Sequence, residues 1–173
     1  MSLNGDAAWA MSLRNPWPVS AATLASQGAD GLQAFLVPSG VDEFPCIDLD
    51  DLVPALEATR AAGVPLLVHA EAPGPIAAAP PPGADYLSYQ ASRPPEAEVE
   101  AIEALIEAVR RTGAAAHVLH LSAADALPAL ATARADGLPI TVETCPHYLA
   151  LSAEEDRKST RLNSSHMSES RMP

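Results

Sequence analysis

Short apolar segments alternate with longer amphipathic segments along most of the chain. The apolar segments have the length and composition of buried β-strands, whereas the amphipathic segments repeat their apolar residues at helical spacing. The predicted strands cover residues 32–37, 64–69, 115–121 and 138–145, and the predicted helices cover residues 49–62, 97–111 and 123–135. Strands and helices therefore alternate regularly from residue 32 to residue 145.

The helix over residues 97–111 has the clearest pattern. Its apolar side chains fall on one helical face, and glutamates occupy most of the opposite face. The apolar face consists of Val99, Ile102, Leu105, Ile106 and Val109. Each of the three predicted helices is followed by a glycine, which favours the left-handed conformation that ends many helices. These glycines are Gly63, Gly113 and Gly137.

Repeated strand and helix units predict an α/β fold with a parallel sheet. The sheet could be open and doubly wound, or it could belong to a (β/α)8 barrel. The glycine patterns of dinucleotide-binding and phosphate-binding loops are absent, which disfavours a nucleotide-binding open sheet without excluding it. Four strands within ~120 residues match about half of a barrel of ~250 residues. If the sheet belongs to a barrel, this chain therefore contains only part of that barrel.

Composition and charge narrow the function classes. Of 173 residues, 48% are hydrophobic, and the formal net charge is −12, which disfavours a nucleic-acid partner. No apolar run approaches the ~20 residues of a membrane helix, and the first residues lack the order of a signal peptide. Cys46 and Cys145 are too few for a disulfide framework and are expected to be reduced. We expect a soluble, cytoplasmic protein with no membrane or nucleic-acid partner.

Residues 156–173 differ in composition from the rest of the chain. They are rich in serine and contain the only lysine, Lys158. Such a segment is typical of a disordered tail. Residues 156–166 also match the translation of a common sequencing-library adapter, so we interpret 156–173 as a non-native tail and exclude it from the fold.

Candidate metal ligands lie at the ends of two predicted strands. His69 ends the segment LLVHAE and is followed by a predicted Pro/Gly/Ala-rich loop, and the next strand carries His117 and His120 in HVLHLS. Strand side chains alternate, so only one of His117 and His120 is expected to face a barrel interior, and His120 lies nearer the strand end. Imidazoles on neighbouring strand ends could share one zinc ion. For either histidine alone, a structural role remains the alternative.

A third group of polar residues follows the last predicted strand. The segment ETCPHYL places Cys145, His147 and Tyr148 in a predicted loop at the same end of the sheet. His147 alone could equally be a structural histidine within that loop.

Together these motifs resemble the allantoinase and hydantoinase branch of the amidohydrolase superfamily. The resemblance is carried by VETCPHYL, HVLHLS, YQASRPPEAEVEAI, LLVHAE and PSGVDEFP, the last of which points to the allantoinase type. It covers residues 29–155, leaving residues 1–28 poorly matched. It implies a partial (β/α)8 TIM barrel containing about strands 4 to 7 with their helices.

The resemblance also implies a metal site. Family members hold two divalent ions, usually zinc and otherwise cobalt or manganese. The ligands are a His-x-His motif on strand 1, a carboxylated lysine on strand 4, one histidine each on strands 5 and 6, and an aspartate on strand 8. His69 and His120 match the ligands on strands 5 and 6, whereas His117 matches none. Cys145, His147 and Tyr148 match a motif beside the substrate. The strand-1 histidines and the general-base aspartate are expected outside this sequence, so no catalytic residue is assigned within it.

Gln33 departs from the family pattern because it occupies the position of the bridging lysine. A glutamine amide is neutral and cannot take up carbon dioxide to form a carbamate. Three interpretations remain open: a sequence error, an enzyme with one metal or a weaker second site, and a non-catalytic homologue.

The activity implied by the resemblance is hydrolysis of the cyclic amide of allantoin to allantoate, with a small cyclic ureide as the substrate. A hydantoinase or dihydropyrimidinase is the nearest alternative, and a dihydroorotase fits less well. A non-catalytic scaffold like the collapsin response mediator family is the alternative from another class. The full-length relative is expected to be a homo-oligomer, as in related tetramers, and the isolated chain is expected to be inactive and poorly stable.

Overall fold

Within the part of the chain that the structure describes, five parallel β-strands form a single sheet, and their spatial order β1-β2-β3-β4-β5 follows the chain. The structure is a computed structural model and describes residues 9–10, 21–40, 44–83 and 86–150. The strands are β1 Trp9–Ala10, β2 Leu32–Phe35, β3 Leu66–His69, β4 Ala116–Val118 and β5 Ile140–Val142. The proposed tail at 156–173 and most of the poorly matched segment 1–28 lie outside the described residues.

Seven helices connect or follow these strands within the described residues. They are α1 Ala21–Ser26, α2 Leu52–Ala62, α3 Pro73–Ala78, α4 Tyr86–Ala91, α5 Pro95–Thr112, α6 Leu127–Ala135 and α7 Pro146–Ala150. Short 3-10 turns precede α2 at Leu49–Asp51 and α6 at Ala124–Ala126. In the described part of the chain, no helix combines the length and apolar character needed to cross a bilayer.

The four predicted strands and three predicted helices are confirmed, although the strands are shorter than their apolar segments. The sequence prediction missed β1, which has only two residues. It also assigned loops where α3 and α7 form. Both helices begin with a proline, which reads as a loop signal but is tolerated at the first helical position because that N–H needs no intrahelical partner.

The core lies between one face of the sheet and the helices α2, α5 and α6. Leu32, Leu66, Ala116 and Ile140 occupy one register row across four strands, and all are buried. They form one cluster with the buried apolar residues of the helices. The cluster includes Ile102, Leu105 and Val109, which confirms the apolar face predicted for α5.

The opposite face of the sheet carries the polar candidate residues. Gln33, Leu67, His117 and Thr141 occupy the adjacent register row and are partly or fully exposed. Because side chains alternate along a strand, His69 shares this face with Leu67. The face is the one that points inward when such a parallel sheet closes into a barrel.

Glycines end the two longest helices, as predicted. Gly63 follows α2 with φ 76° and Gly113 follows α5 with φ 64°, both in the left-handed region. The predicted stop at Gly137 is shifted by one residue, because Asp136 is the C-cap of α6 and Gly137 follows it with φ 77°.

A side chain of α2 also contacts the end of α5. Arg60, in the last turn of α2, donates from Nη1 to the carbonyl oxygen of Thr112 at 2.6 Å. Substitution Arg60→Ala is expected to lower the free energy of unfolding by about 1–2 kcal/mol, because the donor is charged and the carbonyl loses its partner. Urea denaturation measures this.

Arg134→Ala is the matched control for that prediction. Arg134 is an exposed arginine in the last turn of α6, so it shares the favourable position at a helix C-terminus. We expect this variant to change the free energy of unfolding by less than about 0.5 kcal/mol. Equal losses in the two variants would contradict a bracing role for Arg60.

Candidate metal centre

His69 is the last residue of β3, and its side chain is almost fully buried. It is 7% exposed and lies opposite Phe35 of β2, whose ring centroid is 5.3 Å away. The strand fixes the backbone and the phenylalanine limits the ring, so the imidazole has a defined orientation at the carboxyl end of the sheet.

His120 lies beyond β4, which ends at Val118. Its φ is 38°, and it is the only non-glycine residue with a positive φ among the described residues. A left-handed conformation costs a residue with a β-carbon about 1–2 kcal/mol. Such a cost at a strand end is typical of a residue held for its side chain.

The rings of His69 and His120 meet at the carboxyl end of the sheet. Nδ1 of His69 lies 3.2 Å from Nε2 of His120, and the rings are edge to face with centroids 4.8 Å apart. The alternation argument, which allowed only one of His117 and His120 to face inward, is therefore wrong. His120 is outside the strand, and its left-handed backbone turns its side chain to the face that His117 also occupies.

The spacing of the two ring nitrogens fits a shared metal ion. Zinc binds imidazole nitrogen at about 2.0–2.1 Å, so two nitrogens on a tetrahedral ion lie about 3.3 Å apart. The 3.2 Å separation of His69 Nδ1 and His120 Nε2 matches this value. The donor chemistry of the pair is thus suited to a divalent ion such as zinc.

The pair does not form a complete metal site on its own. Within the described residues, no group of three or more His, Cys, Asp or Glu side chains is arranged to hold a metal. Glu71 is close but contacts the other ring nitrogen, since its Oε2 lies 2.8 Å from Nε2 of His69. Further ligands would have to come from elsewhere in a closed barrel.

Two acidic residues that the sequence analysis did not assign lie beside the pair, one in contact with His69 and the other with the chain just after His120. Glu71 contacts His69 and also accepts from Nη1 of Arg93 at 2.9 Å. Glu98 of α5 accepts from Ser122, two residues after His120. Their motifs, LLVHAE and SRPPEAE, were visible in the sequence, but nothing in the spacing predicts which strand end each carboxylate reaches.

Gln33 lies on the same sheet face as His69 but deeper. It pairs with Leu67, two residues before the Phe35–His69 level, and that corresponds to about 6.6 Å along the strand. A side chain here must be long to reach the ring nitrogens of His69. Glutamine is shorter than a carboxylated lysine and carries no charge.

His117 belongs to a separate polar contact. Its Nδ1 lies 2.7 Å from Oγ1 of Thr141, and its Nε2 lies 3.5 Å from a carboxylate oxygen of Glu143. Both partners follow from the pairing of β4 with β5. Neither contact involves His69.

The residues after β5 include the remaining candidates, Cys145, His147 and Tyr148. Cys145 precedes α7 and is a free thiol, as is Cys46. His147 and Tyr148 lie in α7 with ring centroids 4.5 Å apart. Thr144 donates from Oγ1 to the carbonyl of Leu121 at 2.7 Å, which joins this segment to the loop that contains His120.

Comparison with known proteins shows which proteins this chain resembles. The chain is 51% identical to an allantoinase of Streptomyces avermitilis over 74% of its own length and 29% of the relative. It is 41% identical to an allantoinase of Bacillus velezensis over 76% of the chain and 30% of the relative. The chain is homologous to the allantoinases. No family model matches it.

Solved structures of hydantoinases match the fold of this allantoinase homologue. The L-hydantoinase (dihydropyrimidinase) of Arthrobacter aurescens superposes with a TM-score of 0.73 and 26% identity, covering 78% of this chain and 31% of that one. A D-hydantoinase superposes with a TM-score of 0.69 and 28% identity, covering 80% and 30%. The predicted α/β fold, a segment of a (β/α)8 barrel, is confirmed.

The allantoinase homologue spans about 30% of the length of the curated relatives it matches. The relatives also include a protein of Aquarana catesbeiana named a mitochondrial allantoinase, at 37% identity over 73% of this chain and 26% of that protein. The chain is therefore related to the cyclic amidohydrolases through one segment that contains the His69–His120 pair.

Proposed function

We propose that this chain supplies part of the metal centre of an allantoinase-type hydrolase. In this proposal Nδ1 of His69 and Nε2 of His120 bind one divalent ion, and the complete enzyme hydrolyses allantoin to allantoate. The observation that carries the proposal is the 3.2 Å separation of these two nitrogens on neighbouring strand ends. The identity with the Streptomyces avermitilis allantoinase supports the substrate class, a small cyclic ureide.

A bound zinc ion would supply Lewis-acid chemistry, polarising a water molecule and an amide carbonyl. His69 and His120 would provide two neutral nitrogen ligands to it, and Cys145, His147 and Tyr148 would lie beside the substrate. No residue of this chain is proposed as the general base, a role that the resemblance gives to an aspartate on strand 8.

The proposal assigns one ion to the centre while Gln33 is present. A second ion requires an anionic bridge between the two metals, and the glutamine amide is neutral. Cobalt and manganese are alternatives to zinc, since imidazole nitrogen binds all three. We propose that residues 29–155 form the metal-dependent unit and that residues 1–28 and 156–173 lie outside it. The complete enzyme is proposed to be a cytoplasmic homo-oligomer.

Two observations favour other functions. The structural matches include hydantoinases, which favours a hydantoinase or dihydropyrimidinase as the second candidate. Gln33 favours a non-catalytic scaffold, because a protein without catalysis does not need the bridging lysine. The paired histidines oppose the scaffold, since a protein without catalysis does not need two imidazoles at this spacing.

A chimera tests the substrate directly. Residues 29–150 of this chain, carrying Gln33→Lys, would replace the matching segment of the Streptomyces avermitilis allantoinase, the relative at 51% identity. We expect hydrolysis of allantoin at a higher kcat/KM than of hydantoin or dihydrouracil. A preference for hydantoin would support the second candidate, and a chimera that folds but binds no metal would support the scaffold.

A further inference from the structure

Residues at the start of α5 contact both segments that present the paired histidines. Arg93 precedes the helix by two residues, and Glu98 lies in its first turns. One reaches the segment after β3 and the other reaches the segment after β4. Neither residue matches a metal ligand, and neither contacts the ring nitrogens that the proposed ion would use.

Arg93 acts on His69 through Glu71. A single carboxylate oxygen, Oε2 of Glu71, lies 2.9 Å from Nη1 of Arg93 and 2.8 Å from Nε2 of His69. A carboxylate accepts hydrogen bonds and does not donate them, so Nε2 of His69 carries the proton. The other nitrogen, Nδ1, then presents its lone pair toward His120.

Glu98 holds the backbone that follows His120. The N–H of Ser122 donates to Oε1 at 2.9 Å and to Oε2 at 3.2 Å, and the Ser122 hydroxyl donates to Oε2 at 2.9 Å. The N–H of Ala123 also donates to Oε2, at 2.6 Å. These contacts fix the chain two residues beyond the left-handed backbone of His120.

We propose that Arg93 and Glu98 are positioning residues that set the relative placement of His69 and His120 before a metal binds. This inference rests on the proposed metal-binding function of the pair. Arg93 holds the carboxylate of Glu71 that contacts the ring of His69, and the carboxylate of Glu98 holds the backbone two residues after His120. Both contacts originate close together along the chain, Arg93 just before α5 and Glu98 within it, and we expect them to keep the spacing of the pair.

The test uses the full 173-residue chain with 15N-labelled histidine rings. Without metal, the ring-nitrogen signals report the tautomer and contacts of each histidine. Glu98→Ala is expected to move the His120 signals toward those of a solvent-exposed histidine, and Arg93→Ala is expected to have its largest effect on His69. The His117 signals should stay unchanged, because its partners are Thr141 and Glu143.

Zinc titration provides the second readout. Substitutions of groups that orient a metal ligand typically raise the dissociation constant by about 10–100-fold, and we expect this range for Glu98→Ala and Arg93→Ala. Glu96→Ala is the matched control, since Glu96 is an exposed glutamate in the first turn of the same helix. It should change neither zinc affinity nor the histidine signals.

Glu98→Gln covers the case in which Glu98→Ala fails to fold. The amide keeps the side-chain length and one acceptor oxygen, so a smaller shift of the His120 signals is expected. Unchanged His120 signals in a folded Glu98 variant would overturn the inference. A wild-type chain that binds no zinc would instead contradict the proposed function, while the signals of the metal-free chain would still test the positioning.

Discussion

Zinc binding by the chain is expected to weaken at least about 100-fold when His120 is replaced by alanine, because loss of a ligand costs more than loss of a group that supports one. His120→Ala removes one of the two ring nitrogens that lie 3.2 Å apart. The remaining imidazole of His69 would be a single, weak ligand. Competition with a zinc-sensitive dye measures the dissociation constant at fixed pH.

His117→Ala is the matched control for that substitution. His117 lies on the same sheet face, only three residues away, but its ring nitrogens contact Thr141 and Glu143. We expect its removal to leave zinc affinity within a factor of about two, because no proposed ligand is lost. If His117→Ala weakened binding and His120→Ala did not, the ligand assignment on this strand would be reversed.

The second large effect concerns Gln33. In the chimera with the Streptomyces avermitilis allantoinase, Gln33→Lys is expected to raise zinc content from one to two ions per chain. It should also raise kcat/KM for allantoin by at least about 100-fold, equivalent to about 2.7 kcal/mol of transition-state stabilisation. A lysine amine can take up carbon dioxide to form an anionic carbamate that bridges two ions, whereas the glutamine amide cannot.

The chimera with Gln33→Met distinguishes the effect of the carbamate from the effect of side-chain size. Methionine is long and unbranched like lysine, but it is neutral and cannot react with carbon dioxide, so this chimera should keep one zinc ion and low activity. Elemental analysis and a ureide hydrolysis assay measure both quantities. Full activity of the chimera with Gln33 retained would show that catalysis does not need the lysine carbamate. It would contradict the expected gain from Gln33→Lys.

The apolar pattern was enough to predict most of the fold. Ile102, Leu105 and Val109 repeat at helical spacing, and burial of that face is the strongest constraint on α5. The strand at 64–69 was predicted from a continuous apolar run, since a parallel strand covered by helices tolerates few polar side chains. β1 escaped prediction because two residues carry no periodicity.

The position of His69 could be predicted, but the geometry of the pair could not. A histidine that ends an apolar strand lies at the carboxyl edge of a parallel sheet, and His69 does so. The placement of His120 depends on a left-handed backbone after an early strand end, which spacing along the chain does not encode. Strand alternation was therefore the wrong rule for that residue.

The contacts of the supporting carboxylates could not be predicted from the sequence, for a different reason. Glu98 is one of several glutamates on α5, and the helical pattern predicts only that they avoid the apolar face. Its contact with Ser122 spans 24 positions of sequence and depends on how α5 packs beside the loop after β4. Long-range polar contacts of this kind follow from the packed fold, not from local residue spacing.

The central claim is that His69 and His120 share one divalent ion through Nδ1 and Nε2. Diffraction data collected at the zinc edge from zinc-soaked crystals of the chain test it most directly. The account predicts an anomalous peak about 2.0–2.1 Å from both nitrogens, the usual zinc–imidazole distance. A peak at His117, at Cys145 or His147 instead, or no peak between the two rings at saturating zinc, would contradict it.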